Sequence, residues 1–410
     1  MARTLHTASV VLPISAAPIR DGGVVVEDGL IVAVGRADDL SDGAQVREWD
    51  GILMPGLVNA HAHTEYGPSF NDLASSGLPF SQWMLELVKR WQTHTDDDWL
   101  ADARGSVAQM LATGTTCVAD IVTIGPGLHA AAEAGMAGVS YVEIVARDDA
   151  TWPQTQEALE AMLESAPAGR MVGVSPHTLY TISLGVFQRS MELARGRGLR
   201  LHPHLAETSD EVEFIASGTG PLADTWGGSG LTFELLTEGG RGVTPAHLLD
   251  EIGGLQADTH VAHGVHLDAS DRARLRERGV AVALCTRSNA ILRAGEAPVR
   301  AYLEERSPVA VGTDSLSSTP SLDMLAELRA LRDLAVRQGA SEEGLDEALL
   351  AAATLSGGQA MGLTDVGSLH AGARADMVIV DADPNNPVSS VIADGRVLTT
   401  MLRGEVVSGG

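Results

Sequence analysis

The sequence predicts an α/β fold: a (β/α)8 TIM barrel carrying a small β-sandwich built from the two ends of the chain. Three observations predict it. Eight short apolar runs alternate with amphipathic, helix-like segments. Five of the 13 histidines stand at or near the C-terminal ends of those runs, where barrels of this kind place their chemistry. The flanks, residues 1–52 and 366–410, are strand-like, and each is too short to bury much apolar surface alone.

The runs are "GILMPGLVNAH" (51–61), "TTCVAD" (115–120), "AGVSYVEIV" (137–145), "MVGVSPHT" (171–178), "LRLHPHLAE" (199–207), "THVAHGV" (259–265), "VAVALCTR" (280–287) and "PVAVGTDS" (308–315). Between them, stretches such as "DWLADARGSVAQMLATG" and "SLGVFQRSMELARGRG" end in glycine, as helices often do. The first flank carries the hairpin signal "VVVEDGLIVAVG", and the last carries "ADMVIVDADP" and "VIADGRVLTTMLRGEVV". If these ends pair, the barrel of residues 53–365 is an insertion between them. The stretch from Thr208 to His260 is longer than an ordinary helical crossover and holds "GTGPLADTWGGSG". It is expected to cover the barrel mouth as a lid, with Trp226 and Phe233 packed locally in it.

Composition narrows the functional classes. The chain has 410 residues and is 44% hydrophobic, enough for a large core. No apolar run reaches the roughly 18 residues of a membrane span. The opening "MARTLHTASVVLPISAAPIR" reads as a strand rather than a signal peptide. Acidic side chains number 54 against 28 basic, a net charge of −26, which disfavours nucleic acid and anionic membranes as partners. The two cysteines, Cys117 and Cys285, sit in apolar runs and suit a reducing cytoplasm, the expected location. A homo-oligomer is compatible with all of this.

The strand ends carry the chemistry. Residues two apart share a strand face, so His61 and His63 point the same way. The fourth run ends in His177, the fifth in His204 and Glu207, and the sixth in His263. The seventh ends in Arg287, Ser288 and Asn289, and the eighth in Asp314. Three neutral imidazoles and a carboxylate suit zinc or ferrous iron. The expected ligands of one divalent cation, zinc before iron, are His61, His63, His204 and Asp314. Such a cation lowers the pKa of a bound water towards about 7. His202 shares a face with His204 one layer deeper and reads as a satisfied core histidine. His266 reads as a bracing or capping group.

These residues resemble the amidohydrolase superfamily. The motifs are "HAH" after the first strand, "HLAET" at the fifth, "HGVH" at the sixth and "GTDSLSS" at the eighth, with "GSLHAGARADMVIVD" near the C-terminus. The resemblance spans essentially the whole chain and implies the split β-domain as well. Many members hold two metals bridged by a carbamylated lysine from the fourth strand. The only lysine here is Lys89, in the helix-like "WMLELVKRW" after the first strand, so the resemblance is to the mononuclear branch of ring deaminases. "FSQWMLELV", "SPHTLYTIS" and "HLAETSDEVEF" look like the adenosine-type group. Glu65 in "HAHTE" and "CTRSNAIL" look like the aminodeoxyfutalosine deaminases of the futalosine route to menaquinone, with Thr286 replacing the usual proline.

The resemblance implies hydrolytic release of ammonia from an adenine-type nucleoside, with 6-aminodeoxyfutalosine the favoured substrate. Adenosine, S-adenosylhomocysteine and methylthioadenosine are the alternatives. Asp314 is expected to take the water proton and Glu207 to protonate the ring nitrogen and the departing amine. His263 is expected to stabilise the tetrahedral intermediate. Glu65, Trp83, His177 and Arg287 are candidates to hold base and sugar. Ser288 and Asn289 either join them or brace their turn. The same constellation can displace chloride or cleave a cyclic amide. A scaffold without catalysis is disfavoured, because no expected ligand is missing.

Overall fold

The structure is a computed structural model and describes residues 3–40, 43–228, 230 and 233–409. Strands β1 (Thr4–Val11), β2 (Ile19–Glu27), β3 (Leu30–Arg36) and β4 (Gln45–Pro55) begin the chain. Eight strands follow: β5 (Leu57–Ala62), β6 (Thr115–Val122), β7 (Ala137–Ile144), β8 (Met171–Pro176), β9 (His204–Leu205), β10 (His260–His263), β11 (Ala281–Leu284) and β12 (Val309–Val311). The chain closes with β13 (Met377–Asp381), β14 (Arg396–Leu402) and β15 (Glu405–Gly409).

The two chain ends share one seven-stranded sheet, ordered β15-β14-β13-β4-β1-β2-β3. The junction is antiparallel, with β13 paired to β4 from Met377 opposite Pro55 to Val380 opposite Ile52. Leu53, Val11, Val24, Met377 and Ile379 pack into its apolar face. Neither end could complete this layer alone.

The eight inner strands form two parallel four-stranded sheets, β5-β6-β7-β8 and β12-β11-β10-β9. Their strands are almost wholly buried, as expected for parallel strands covered by helices. Single parallel bridges from Val174 to Leu201 and from Leu201 to Thr259 join the two sheets on one side. The Asp314 N–H donates to His61 O at 3.0 Å on the other.

Two of the eight runs depart from the simple reading. "GILMPGLVNAH" is two strands, because β4 stops at Pro55 and β5 restarts after Gly56. A Cβ on Gly56 would lie 2.0 Å from Thr116 Oγ1. "LRLHPHLAE" keeps only a two-residue ladder, since Pro203 has no N–H to offer it.

The helices follow their local signals. Thr95 and Asp98 form a capping box for the Asp96–Ala112 helix. Thr208 caps the Ser209–Ser217 helix, which ends at Gly218 with φ 69°. The stretch after β9 is largely helical, with further helices at Pro221–Gly227, Glu234–Glu238 and Pro245–Glu251. Among the described residues no helix is long and apolar enough to cross a membrane.

Candidate active site

The C-terminal ends of β5, β9, β10 and β12 converge on one point. His61, His63 and His204 each offer a ring nitrogen within 4.8 Å of the others. His63 Nε2 lies 3.2 Å from His204 Nε2. Asp314 Oδ1 stands 3.8 Å from His61 Nε2 and 3.7 Å from His63 Nε2. Gly312 permits this approach, because a Cβ there would come within 2.7 Å of His61 Cβ.

Three non-glycine residues of the site have left-handed backbones: Ala206 (φ 51°), His263 (φ 72°) and Asp314 (φ 62°). That conformation costs roughly 1–3 kcal/mol per residue and persists only where the surroundings impose it. At Ala206 the cause is visible. The Glu211 carboxylate accepts the N–H of Ala206 and of Glu207, both at 2.8 Å, and so holds the turn after β9.

The donor set fits a divalent cation. His61 Nε2 is buried and has no hydrogen-bond partner among the described residues, an arrangement that costs free energy unless something binds the lone pair. Burial, reinforced by the neighbouring imidazoles, holds His61 and His204 well below the usual value of 6.5 and His63 down to about 4. All three are therefore neutral at pH 7, the form in which an imidazole can donate to a cation. Asp314 Oδ2 accepts from Ser288 Oγ at 2.7 Å and Ser318 Oγ at 2.8 Å, which leaves Oδ1 facing the imidazoles. Beneath the cluster, His61 Nδ1 lies 2.9 Å from His202 Nε2, and His202 Nδ1 lies 3.0 Å from His260 O.

Glu207, His263 and Asp314 form a second group within 4.8 Å. His263 Nδ1 is 3.8 Å from Glu207 Oε1 and 3.0 Å from Asn289 Oδ1. Burial raises Glu207 above the usual carboxylate range, opposed by His263 and assisted by Asp314. Burial thus favours its protonated form more than in an exposed carboxyl.

Both groups open onto a cavity of about 510 Å³. The Phe80–Trp91 helix supplies much of its apolar wall through Phe80, Trp83, Met84, Leu87 and Trp91, and Trp226 of the Pro221–Gly227 helix adds to it. Trp83 Nε1 donates to Ser317 O at 2.9 Å, so its ring is held against the wall. His177 also lines the cavity, with Nδ1 2.9 Å from Thr181 Oγ1 and its ring 4.6 Å from that of His204.

Four expected substrate contacts lie elsewhere. Glu65 does not line the cavity: its oxygens accept four backbone N–H groups, from Thr123, Ile124, Gly125 and Gly127, at 2.7–3.1 Å. It tethers β5 to the turn after β6. Arg287 turns away to Ser321 Oγ at 2.9 Å and to Glu327. Ser288 is fully buried on Asp314, and Asn289 holds His263. The motif serves the site by bracing it.

Sequence reasoning missed Glu143. At the end of β7 it lines the cavity, Oε2 accepting from Thr123 Oγ1 at 2.7 Å and Oε1 buried without a partner, 3.8 Å from His177 Nε2. Burial pushes it up to about 8. An acid inside the apolar run "SYVEIV" was the available signal. Ser318, in "GTDSLSS", was missed as well.

Comparison with known proteins decides the family. The model of the Amidohydrolase family matches residues 52–407. The chain belongs to the amidohydrolase family. Among its relatives in that family, the 5-methylthioadenosine/S-adenosylhomocysteine deaminase of Moorella thermoacetica is 30% identical over 99% of this chain and 96% of that protein. An adenosine deaminase from Xanthomonas campestris, solved with bound zinc, is 26% identical with a TM-score of 0.83 over 100% of this chain and 93% of the other. The aminofutalosine deaminase of Helicobacter pylori shares the amidohydrolase fold at 19% identity, with a TM-score of 0.81 over 99% of this chain and all of the other. Lys89, the lysine on which a bridged second metal would depend, lies in the Phe80–Trp91 helix, exposed and paired with Glu86.

Proposed function

We propose that this amidohydrolase is a hydrolytic deaminase of an adenine-type nucleoside, dependent on one divalent cation held by His61, His63, His204 and Asp314. Zinc is the proposed metal, with ferrous iron the alternative. We propose further that the eight inner strands close into a (β/α)8 barrel over residues 53–365. The Asp314–His61 backbone bond supports closure. The segments 1–52 and 366–410 would act as one β-sandwich unit. The observation that carries the functional reading is the placement of Glu207, His263 and Asp314 against the three imidazoles on one cavity.

The reaction adds water to the amine-bearing ring carbon, protonates the adjacent ring nitrogen and expels ammonia, leaving a ring carbonyl. When bound, the cation supplies Lewis-acid activation of water near neutral pH. Asp314 Oδ1 takes the proton that water gives up. Glu207, whose burial favours the protonated form, gives its proton to the ring nitrogen. Recharged with the proton held on Asp314, whose carboxylate lies within 4.8 Å, Glu207 protonates the departing amine, and it regains its own proton from the intermediate's hydroxyl as the ring carbonyl forms. His263, oriented by Asn289, hydrogen-bonds the oxygen that develops charge. The apolar wall around Trp83 and Trp226 excludes water and flanks the base. Glu143 and His177 present the polar atoms that suit the sugar hydroxyls.

For the physiological substrate, "CTRSNAIL" favours 6-aminodeoxyfutalosine and a place in menaquinone biosynthesis. A second reading, methylthioadenosine, is favoured by the cavity itself. No lysine or arginine lines it among the described residues, and most of its wall is apolar, which suits an uncharged substituent on the ribose. Ammonia release from adenosine, methylthioadenosine, S-adenosylhomocysteine and aminodeoxyfutalosine, compared by kcat/KM, tests both. A preference for aminodeoxyfutalosine supports the first reading and a preference for methylthioadenosine the second. Turnover of none of them contradicts the proposed class.

A further inference from the structure

We propose that His202 is a positioning residue for the metal centre: its Nε2 accepts from His61 Nδ1 and thereby holds His61 in the tautomer that presents a bare Nε2 to the cation. The inference rests on the reading of the site as a metal centre and adds a residue to it.

The hydrogen positions follow from one carbonyl. His260 O can only accept, so His202 Nδ1, 3.0 Å away, carries a hydrogen. A neutral imidazole carries one ring hydrogen, so His202 Nε2 is a lone pair. That lone pair faces His61 Nδ1 at 2.9 Å, which must then be the N–H of His61. The other nitrogen of His61 is left bare, and it is the atom that is buried without a partner beside Asp314. An N–H on the outer position of a ligating histidine is what fixes its ring and raises its basicity. A fourth imidazole supplies the acceptor here.

His202 is itself held still. Its ring stacks on His260 with centroids 3.7 Å apart and planes 13° apart, and Tyr141 meets its edge at 5.2 Å. Its own carbonyl accepts from Ser175 Oγ at 2.8 Å. The acceptor offered to His61 is therefore fixed in place before any cation arrives.

The test is zinc affinity of the metal-free full chain by chelator competition, read without turnover. His202→Phe keeps the stacked ring and removes the acceptor; His202→Gln returns an amide oxygen close to the Nε2 position. The Phe variant should bind zinc about 10- to 100-fold more weakly, and the Gln variant should recover most of that loss. Wild-type affinity in the Phe variant would overturn the proposal. So would equal losses in both variants with unchanged melting. If the Phe variant does not fold, ¹⁵N spectra of the histidine-labelled, metal-free wild type decide: an Nδ1–H tautomer at His61 supports the proposal, and an Nε2–H tautomer overturns it. A chain that binds zinc as expected yet deaminates no nucleoside would contradict the proposed function and leave this inference standing.

Discussion

Ser288 Oγ donates to Asp314 Oδ2 at 2.7 Å, and this bond, with its partner from Ser318, leaves Asp314 a single oxygen to turn towards the imidazoles. Hydrogen bonds to a charged acceptor contribute about 1.5–3 kcal/mol each. Ser288→Ala with Ser318→Ala frees the carboxylate to rotate. The double variant should lose at least about tenfold in kcat/KM, a change of about 1.4 kcal/mol or more in transition-state stabilisation. Each single variant should lose less. An unchanged kcat/KM in the double variant would show that the two hydroxyls do not orient Asp314.

Among the described residues no basic side chain lies closer to the Glu207 carboxyl than His263, at 3.8 Å, which leaves the carboxyl free to exchange a proton with substrate. Glu207→Gln should lower kcat by about 10²- to 10⁴-fold while zinc content stays at the wild-type level. Turnover near wild type would remove Glu207 from proton transfer, and loss of zinc would reassign it as a ligand.

Glu143 has one oxygen tied to Thr123 and one turned to the cavity without a partner. Glu143→Gln keeps the size and changes the hydrogen-bonding pattern. KM for the nucleoside should rise by about tenfold, with a smaller change in kcat, as expected when a hydrogen bond to substrate worth about 1.4 kcal/mol is lost. Equal kinetics for the 2′,3′-dideoxy analogue in both enzymes would agree with a sugar contact. An unmoved KM for the intact nucleoside would contradict it.

His6 makes the stability of the small sheet depend on pH. Burial, with Arg47 nearby, lowers it from 6.5 to about 4, and Trp49 Nε1 donates to its Nδ1 at 3.1 Å. Below pH 6.5 the unfolded chain binds a proton that the folded chain refuses until about pH 4. Stability from this residue is therefore present above 6.5 and lost as pH falls through that window. The urea midpoint of the wild type should exceed that of His6→Gln at pH 7, and the gap should narrow towards pH 5. A gap independent of pH would contradict the assignment.

The strand ends were legible in the sequence because the signals are local. Alternation puts His61 and His63 on one face, and a polar residue after an apolar run marks the mouth of a parallel sheet. Side-chain direction beyond the strand end was not legible. Arg287, Ser288 and Asn289 stand three to five residues past the end of β11 at Leu284, yet the Thr286–Ile291 helix sends them to Glu327, Asp314 and His263. Glu65 sits two residues past His63 and still misses the cavity, because the turn after β6 offers it four N–H groups. Such pairings join residues 26 to 62 positions apart, and no local pattern encodes them. The sequence marks His202 as a satisfied core histidine; the partners that satisfy it, His61 and His260, are what give it a place in the site.

The proposed cation is gripped by four side chains from three strand ends, those of β5, β9 and β12. Anomalous diffraction at the zinc edge, on crystals grown with excess zinc, tests it most directly. One strong peak is expected at the cavity floor, about 2.0–2.2 Å from ring nitrogens of His61, His63 and His204 and from an oxygen of Asp314. A second peak of equal strength beside it, or a single peak that leaves any of these four side chains unbound, would contradict the account.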